Sequence, residues 1–146
     1  MQTLFDTKTH QEVLQRIKTL NPNHQPLWGK MDVNHCQRPL EVANGRLTFT
    51  EKPGFVKKIL FKLYKTHMYN DKLWKPNIPT VKDFRVEEAK PFAEEQQKLI
   101  EAINEFNKKD LNLHWPKHPF FGEFNTEQWG KMQYKHLDHH LRQFGV

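Results

Sequence analysis

Residues 125–144, NTEQWGKMQYKHLDHHLRQF, decide the fold and concentrate the unusual chemistry of this chain. An α-helix, turning about 100° per residue, would sort this stretch into three faces. One face carries Trp129, Met132, Gln133, His136, His140 and Gln143. The adjacent apolar stripe holds Gly130, Tyr134, Leu137, Leu141 and Phe144, and the solvated face holds Gln128, Lys131, Lys135, Asp138 and Arg142. We therefore expect a helix that directs two histidines, one turn apart, toward the interior.

The start of this helix is specified by local sequence. Asn125 with Gln128 three residues later is the pattern of a capping box, in which each side chain bonds the other residue's backbone N–H. Phe124 and Trp129 flank the cap at the spacing of a hydrophobic staple. The helix is therefore predicted to begin directly after Asn125.

A histidine pair at this spacing can chelate a divalent metal, because the two imidazoles reach a common point. The zinc-protease version needs Glu directly after the first histidine, where this chain has Leu137, and Asp138 points to the far side. Protease chemistry is therefore disfavoured. The alternative is a polar helix whose histidines are satisfied by their neighbours, and a third ligand would favour the metal.

Composition limits the class of protein. The 146 residues are predicted to form a single domain, 1–146, with one cysteine and therefore no internal disulfide. No hydrophobic run has signal-peptide or membrane-spanning length, so we expect a cytoplasmic protein and no membrane partner. The net charge is +6, but Lys and Arg are spread along the chain and interleaved with Glu, so no nucleic-acid partner is expected.

The rest of the chain reads as all-helical, since alternation typical of a strand is confined to RLTFTE at 46–51. Four further helices are predicted, at 9–20 behind a Thr9/Glu12 capping box, at 32–44 between Asp32 and the stop signal Gly45, at 54–66, and at 91–108. The third carries Phe55, Ile59, Leu60, Leu63 and Tyr64 as its apolar residues. A long connection, 67–90, is rich in aromatic residues and proline, and we expect it to pack down as a wall of the site.

The second predicted helix offers the third ligand. His35 falls on the flank of that helix's apolar stripe, as His136 and His140 do on theirs. Cys36 is interpreted as a small core residue rather than a nucleophile. His139 could replace His140 as a ligand but lies toward the charged face, and HPFFG at 118–122 is interpreted as a structural corner.

Three motifs carry a family resemblance: WGKMDVNHC at 28–36, HPFFGEF at 118–124 and, above all, HLDHHLRQ at 136–143. With the TLFD start, they resemble a small bacterial branch, with no assigned activity, of the DinB-like superfamily of metal-binding proteins. The resemblance implies an all-α four-helix bundle with an additional short helix and a long loop between helices three and four. It also implies that His35, His136 and His140 hold one divalent metal ion, whereas it identifies no catalytic residue.

Three neutral imidazoles suit zinc or nickel and leave a coordination position open. The resemblance implies an enzyme that uses a low-molecular-weight thiol as cosubstrate, a transferase or isomerase acting on a small-molecule substrate. A metal-dependent hydrolase is the second option, although the sequence offers it no proton acceptor. A non-catalytic metal-binding or stress-response protein is the third, and a homodimer remains open.

Overall fold

The computed structural model describes residues 2–29, 38–46, 54–77 and 91–146. These ranges hold five α-helices and one 3-10 helix: α1 (Thr7–Thr19), α2 (Arg38–Ala43), α3 (Phe55–Tyr64), the 3-10 helix (Lys65–Met68), α4 (Phe92–Asn107) and α5 (Thr126–Gln143). No strand occurs within them, and an isolated antiparallel bridge pairs His118 with Gly122. The all-α prediction is confirmed; residues 47–51 of the strand-like segment lie outside the described ranges.

Four of the helices form a bundle, because α1 and α2 each contact both α4 and α5. Its core consists of side chains that are at most a few per cent exposed, among them Val13, Ile17, Leu40, Leu99, Ile103, Phe106, Trp129 and Leu137. The amide nitrogen of Gln96 on α4 donates to the carbonyls of Ile17 and Leu20 at the end of α1. Hydrogen bonds as well as buried apolar side chains therefore hold α4 against α1.

The start of the first helix differs from the prediction of residue 9. α1 begins at Thr7, and the Asp6 carboxylate caps it by accepting a hydrogen bond from the Thr9 N–H at 2.8 Å. That bond lowers the pKa of Asp6. Leu4, fully buried, is held to α5 by a bond from its N–H to the Gly130 carbonyl. Because this contact anchors the chain just before Asp6, the cap forms there and Thr9 is buried in the first turn.

The end of the second helix is as predicted. Gly45 has a φ of +75°, a left-handed conformation that glycine adopts without a steric penalty. The Gly45 N–H donates to the Val42 carbonyl and the Arg46 N–H to the Glu41 carbonyl, which is the Schellman pattern. The predicted start at residue 32 lies outside the described residues.

The third helix departs from an ordinary bundle helix. α3 and the 3-10 helix together span 55–68, close to the predicted 54–66. However, Phe55, Ile59, Leu60, Leu63 and Tyr64 are all exposed rather than buried in the core. α3 contacts the 3-10 helix, which in turn contacts α5. α3 is therefore the additional short helix, and it lies outside the four-helix core.

No helix in the described ranges combines the length and apolarity needed to cross a bilayer.

The HPFFG segment before α5 forms a structural corner, as predicted, and the buried His118 organises it. The ring nitrogen Nδ1 of His118 accepts hydrogen bonds from the N–H groups of Phe120 and Phe121, at 3.2 and 3.3 Å. Because that nitrogen accepts, the tautomer carries its proton on Nε2. Burial lowers the pKa of His118 to about 3, so the ring is neutral at physiological pH.

The backbone of α5 approaches the N-terminal segment most closely at Gly130. A Cβ at this position would lie 2.2 Å from Thr3 Oγ1 and 2.6 Å from Phe5 Cδ2. We expect Gly130→Ala to destabilise the protein by about 1–3 kcal/mol in urea unfolding, although alanine is the better helix former. Gly54→Ala is the control, because a Cβ there meets no atom within 4 Å. An increase in stability for Gly130→Ala would contradict this close approach.

The buried His118 predicts a pH dependence of stability. Its pKa is about 3 in the folded protein, against the ordinary value of 6.5 for a histidine. The folded state therefore binds fewer protons between these values, and the stabilising contribution is complete above about pH 6.5 and declines as the pH falls. In His118→Asn, the side-chain oxygen can still accept from the turn N–H groups. We expect the free energy of unfolding of this variant, measured in urea, to fall by about 2 kcal/mol less than that of wild type between pH 7 and pH 5. The exposed His114→Asn should keep the wild-type slope; equal losses in all three proteins would contradict the prediction.

Candidate metal centre

The rotational position of α5 is fixed where the helix begins. The Asn125 side chain accepts from the Gln128 N–H at 2.8 Å, and the Gln128 side chain accepts from the Asn125 N–H at 3.1 Å. The Phe124 ring meets the Trp129 ring edge-on, with centroids 5.3 Å apart. The predicted capping box and staple are both confirmed. They set which side chains of α5 face the bundle.

His136 and His140 lie side by side on α5, where His140 is buried and His136 is half-buried. Their ring centroids are 4.6 Å apart at an interplanar angle of 64°. The neighbours on this face are buried as predicted: Trp129, Met132, Gln133 and Gln143. The structure thus brings together two of the three predicted ligands. His35, the third, and Cys36 lie outside the described residues.

A chain of hydrogen bonds sets the tautomer of His140. The Gln143 amide nitrogen donates to the Trp28 carbonyl at 2.6 Å, which fixes the orientation of the amide because a carbonyl only accepts. The Gln143 oxygen therefore faces His140 Nδ1, 3.0 Å away, and that ring nitrogen must be the donor. Neutral His140 consequently carries its lone pair on Nε2. An outer partner that fixes the tautomer is typical of metal-ligating histidines.

His136 is half-buried as a residue, but one of its ring nitrogens is enclosed. Its Nε2 atom is inaccessible to solvent and has no hydrogen-bond partner within the described ranges. Burial, and then the neighbouring histidines, lower the pKa of His136 well below its usual value. The ring is therefore neutral. A buried polar nitrogen without a partner costs free energy unless something binds it, so this atom is a candidate ligand donor.

His139 is not on a solvated face, contrary to the prediction. It is 7% exposed, and its ring lies 5.8 Å from the Trp28 ring, 5.7 Å from the Trp74 ring and 5.4 Å from the His140 ring. Burial, and then the charge of Arg142, lower its pKa. Trp28 and Trp74 therefore form an aromatic wall beside the histidine pair. The tryptophans in the two connections were the sequence signal for this wall.

Lys135 attaches the connection that carries Trp74 to α5. The prediction that this lysine lies on a solvated face is wrong. This lysine is 5% exposed. Its ammonium donates to the carbonyls of His67 and Asn70 and to the Asn70 side-chain oxygen, at 2.6, 3.0 and 2.8 Å. Burial lowers its pKa to about 8, while these oxygens compensate the charge. The connection is thereby tied to α5, and the Trp74 ring contacts the His136 ring at 5.7 Å. Residues 67–74 of the connection thus pack against α5, as expected, and residues 78–90 lie outside the described ranges.

Asp138 points away from the histidines, as predicted. One carboxylate oxygen accepts from Arg16 at 2.9 Å and the other from Arg142 at 2.8 Å. Its two oxygens are thus engaged by guanidinium groups on the outer side of α5. Asp138 therefore does not supply a carboxylate to the histidine face.

The described side chains alone do not complete a metal centre, since no group of three or more His, Cys, Asp or Glu residues among them is arranged to hold an ion. Their contribution is the pair of His136 and His140. With the predicted ligand His35 outside these ranges, the three-histidine site remains a prediction.

Comparison with known proteins identifies one family. Residues 51–145 match the sequence profile of proteins of unknown function termed DUF1569. The matched residues include α3, α4 and α5, Trp74, and the two predicted ligands His136 and His140. No curated protein and no solved structure matches the chain significantly. The chain belongs to the DUF1569 family.

Proposed function

We propose that the chain is a DinB-like metal-binding protein in which His136 and His140, completed by His35, hold one divalent ion, zinc or nickel. The observation that carries this proposal is the position and hydrogen bonding of the His136 and His140 rings. The two rings are adjacent, the Nε2 atom of the half-buried His136 is inaccessible to solvent and has no partner among the described residues, and Gln143 leaves the lone pair of the buried His140 on Nε2. A buried ring nitrogen in a purely structural histidine would be expected to have an internal partner, which His136 Nε2 lacks among the described residues.

The residues fit such an ion in three respects. The spacing of one turn brings the two imidazoles to a common point. Burial keeps His136 in the neutral form that binds metal. The hydrogen bonds through Gln143 to the Trp28 carbonyl orient the second ring. The enclosed and unpartnered Nε2 atom of His136 costs free energy, and a bound ion would offset that cost.

The activity we propose is transfer or isomerisation of a small molecule with a low-molecular-weight thiol as cosubstrate. A divalent ion with an open position supplies a Lewis acid that ionises a thiol at neutral pH. The chain supplies enclosure by Trp28 and Trp74, whose rings can contact an apolar group. Hydrolysis would require a proton acceptor, and Asp138 is engaged by two arginines. This difference favours thiol chemistry over a hydrolase.

The site predicts metal content. After loading with zinc or nickel and dialysis, wild-type protein should retain close to one ion per chain by elemental analysis. His136→Ala and His140→Ala should each lose most of it, because two remaining imidazoles bind weakly. Gln143→Leu should lower the affinity by about 10–100-fold, since it releases the His140 ring. Circular dichroism checks that each variant keeps its helices.

His139→Ala is the matched control, because it removes an imidazole from the same turn and leaves both proposed ligands, His136 and His140, unchanged. It should retain the ion. Loss of metal in His139→Ala with retention in His140→Ala would assign the second ligand to His139 instead. Metal retained by the double variant His136→Ala, His140→Ala would falsify the site.

The open position predicts a response to thiols. Adding glutathione or cysteine to the cobalt-substituted protein should produce a sulfur-to-cobalt charge-transfer band in the near ultraviolet. Serine is the matched control ligand, because it replaces the thiol of cysteine with a hydroxyl, and it should produce no such band. A spectrum that responds to hydroxide or phosphate but to no thiol would favour the hydrolase. A spectrum that responds to none of them would favour a non-catalytic metal-binding protein.

A further inference from the structure

The apolar face of α3 is turned outward from the bundle. Phe55, Val56 and Leu63 are 79%, 69% and 74% exposed, far more than is usual for large apolar side chains on one helix. Ile59, Leu60 and Tyr64 are also exposed. At about 100° per residue, these six side chains cover roughly half of the helix circumference. α3 therefore presents a contiguous apolar surface to its surroundings.

The opposite side of α3 attaches the helix to the protein. The Phe61 ring packs against the rings of Phe120 and Phe121, with centroids 5.3 and 5.4 Å apart. Just beyond the helix, the Lys65 ammonium donates to the Glu123 carbonyl and lies 4.9 Å from the centroid of the Phe124 ring. These contacts hold the narrow side of α3 against the corner that precedes α5. They fix its orientation, and the broad apolar side is thereby the one left exposed.

The charged side chains of α3 itself are all positive. Lys57, Lys58 and Lys62 are exposed, and segment 54–70 contains no Asp or Glu. On the helical wheel, Lys57 borders one edge of the apolar surface and the other two lysines border the opposite edge. Two copies of this helix packed together would bring like charges together. The charge therefore complements an anionic partner rather than a second copy of the chain.

We propose that α3 lies in the plane of an anionic lipid bilayer, with its apolar face among the acyl chains and its lysines at the phosphates. A short helix with an apolar face flanked by lysines is typical of interfacial binding. The helix has 10 residues, about 15 Å, and so it cannot span a bilayer. The expectation of no membrane partner followed from the absence of a hydrophobic run of spanning length, and an in-plane helix needs no such run.

Cosedimentation of the full-length protein with vesicles tests this proposal. Vesicles of phosphatidylcholine and phosphatidylglycerol should bind the protein at low salt, whereas pure phosphatidylcholine should bind it far less. Replacing Lys57, Lys58 and Lys62 by Gln should weaken binding by about a hundredfold, because each lysine contributes roughly a factor of five. Leu63→Glu should weaken it by at least about tenfold, since the side chain can no longer enter the apolar layer.

Leu111→Glu is the matched control, because Leu111 is 57% exposed and lies outside α3. It should bind vesicles as wild type does. Circular dichroism checks that the variants stay folded. Absence of vesicle binding, or binding that ignores both the lysines and Leu63, would overturn the proposal. Sedimentation velocity is run in parallel: a dimer abolished by Leu63→Glu, without vesicle binding, would assign the face to a second copy instead.

Discussion

The burial of a polar helix is the constraint on which the rest of the structure depends. α5 buries ten of its residues, and Gln133, Lys135, His139, His140 and Gln143 among them are polar. Each buried polar group needs a partner, because losing water without replacement costs roughly 1–3 kcal/mol. The connection after α3 supplies carbonyls to Lys135, and the segment before α2 supplies one to Gln143. The two connections that carry Trp28 and Trp74 therefore pack against α5, and together they cover its histidines.

The features predicted correctly from sequence are mostly those determined within a few residues. The Asn125/Gln128 box, the Phe124–Trp129 contact and the Gly45 stop each depend on side chains that are close in sequence. The position of His136 and His140 was also predictable, because the helical period links them to a buried stripe. The start of α1 was missed, since Asp6 and Thr9 are both good caps and the distant Leu4–Gly130 contact decides between them.

The errors on α5 and α3 have a common physical cause. A helical wheel separates polar from apolar side chains, but it cannot show whether a distant connection covers the polar face. Lys135 is buried because Asn70 and the His67 carbonyl lie over it, and His139 because two tryptophans do. The apolar residues of α3 show the converse, since an apolar stripe indicates burial only where another element packs on it. The family match adds no chemistry, because its members have no assigned function.

The wall of the histidine site and the exposed face of α3 are linked by one short segment. Residues 65–70 are fixed to the region around α5 at both ends, through Lys65 on the Glu123 carbonyl and through Asn70 on the Lys135 ammonium. The first contact orients α3 with its apolar side outward. The second lies just before Trp74, whose indole nitrogen also donates to the His67 carbonyl at 3.0 Å. A displacement of α3 would therefore strain the bonds that hold Trp74 against His136, so the surface and the site share one mechanical support.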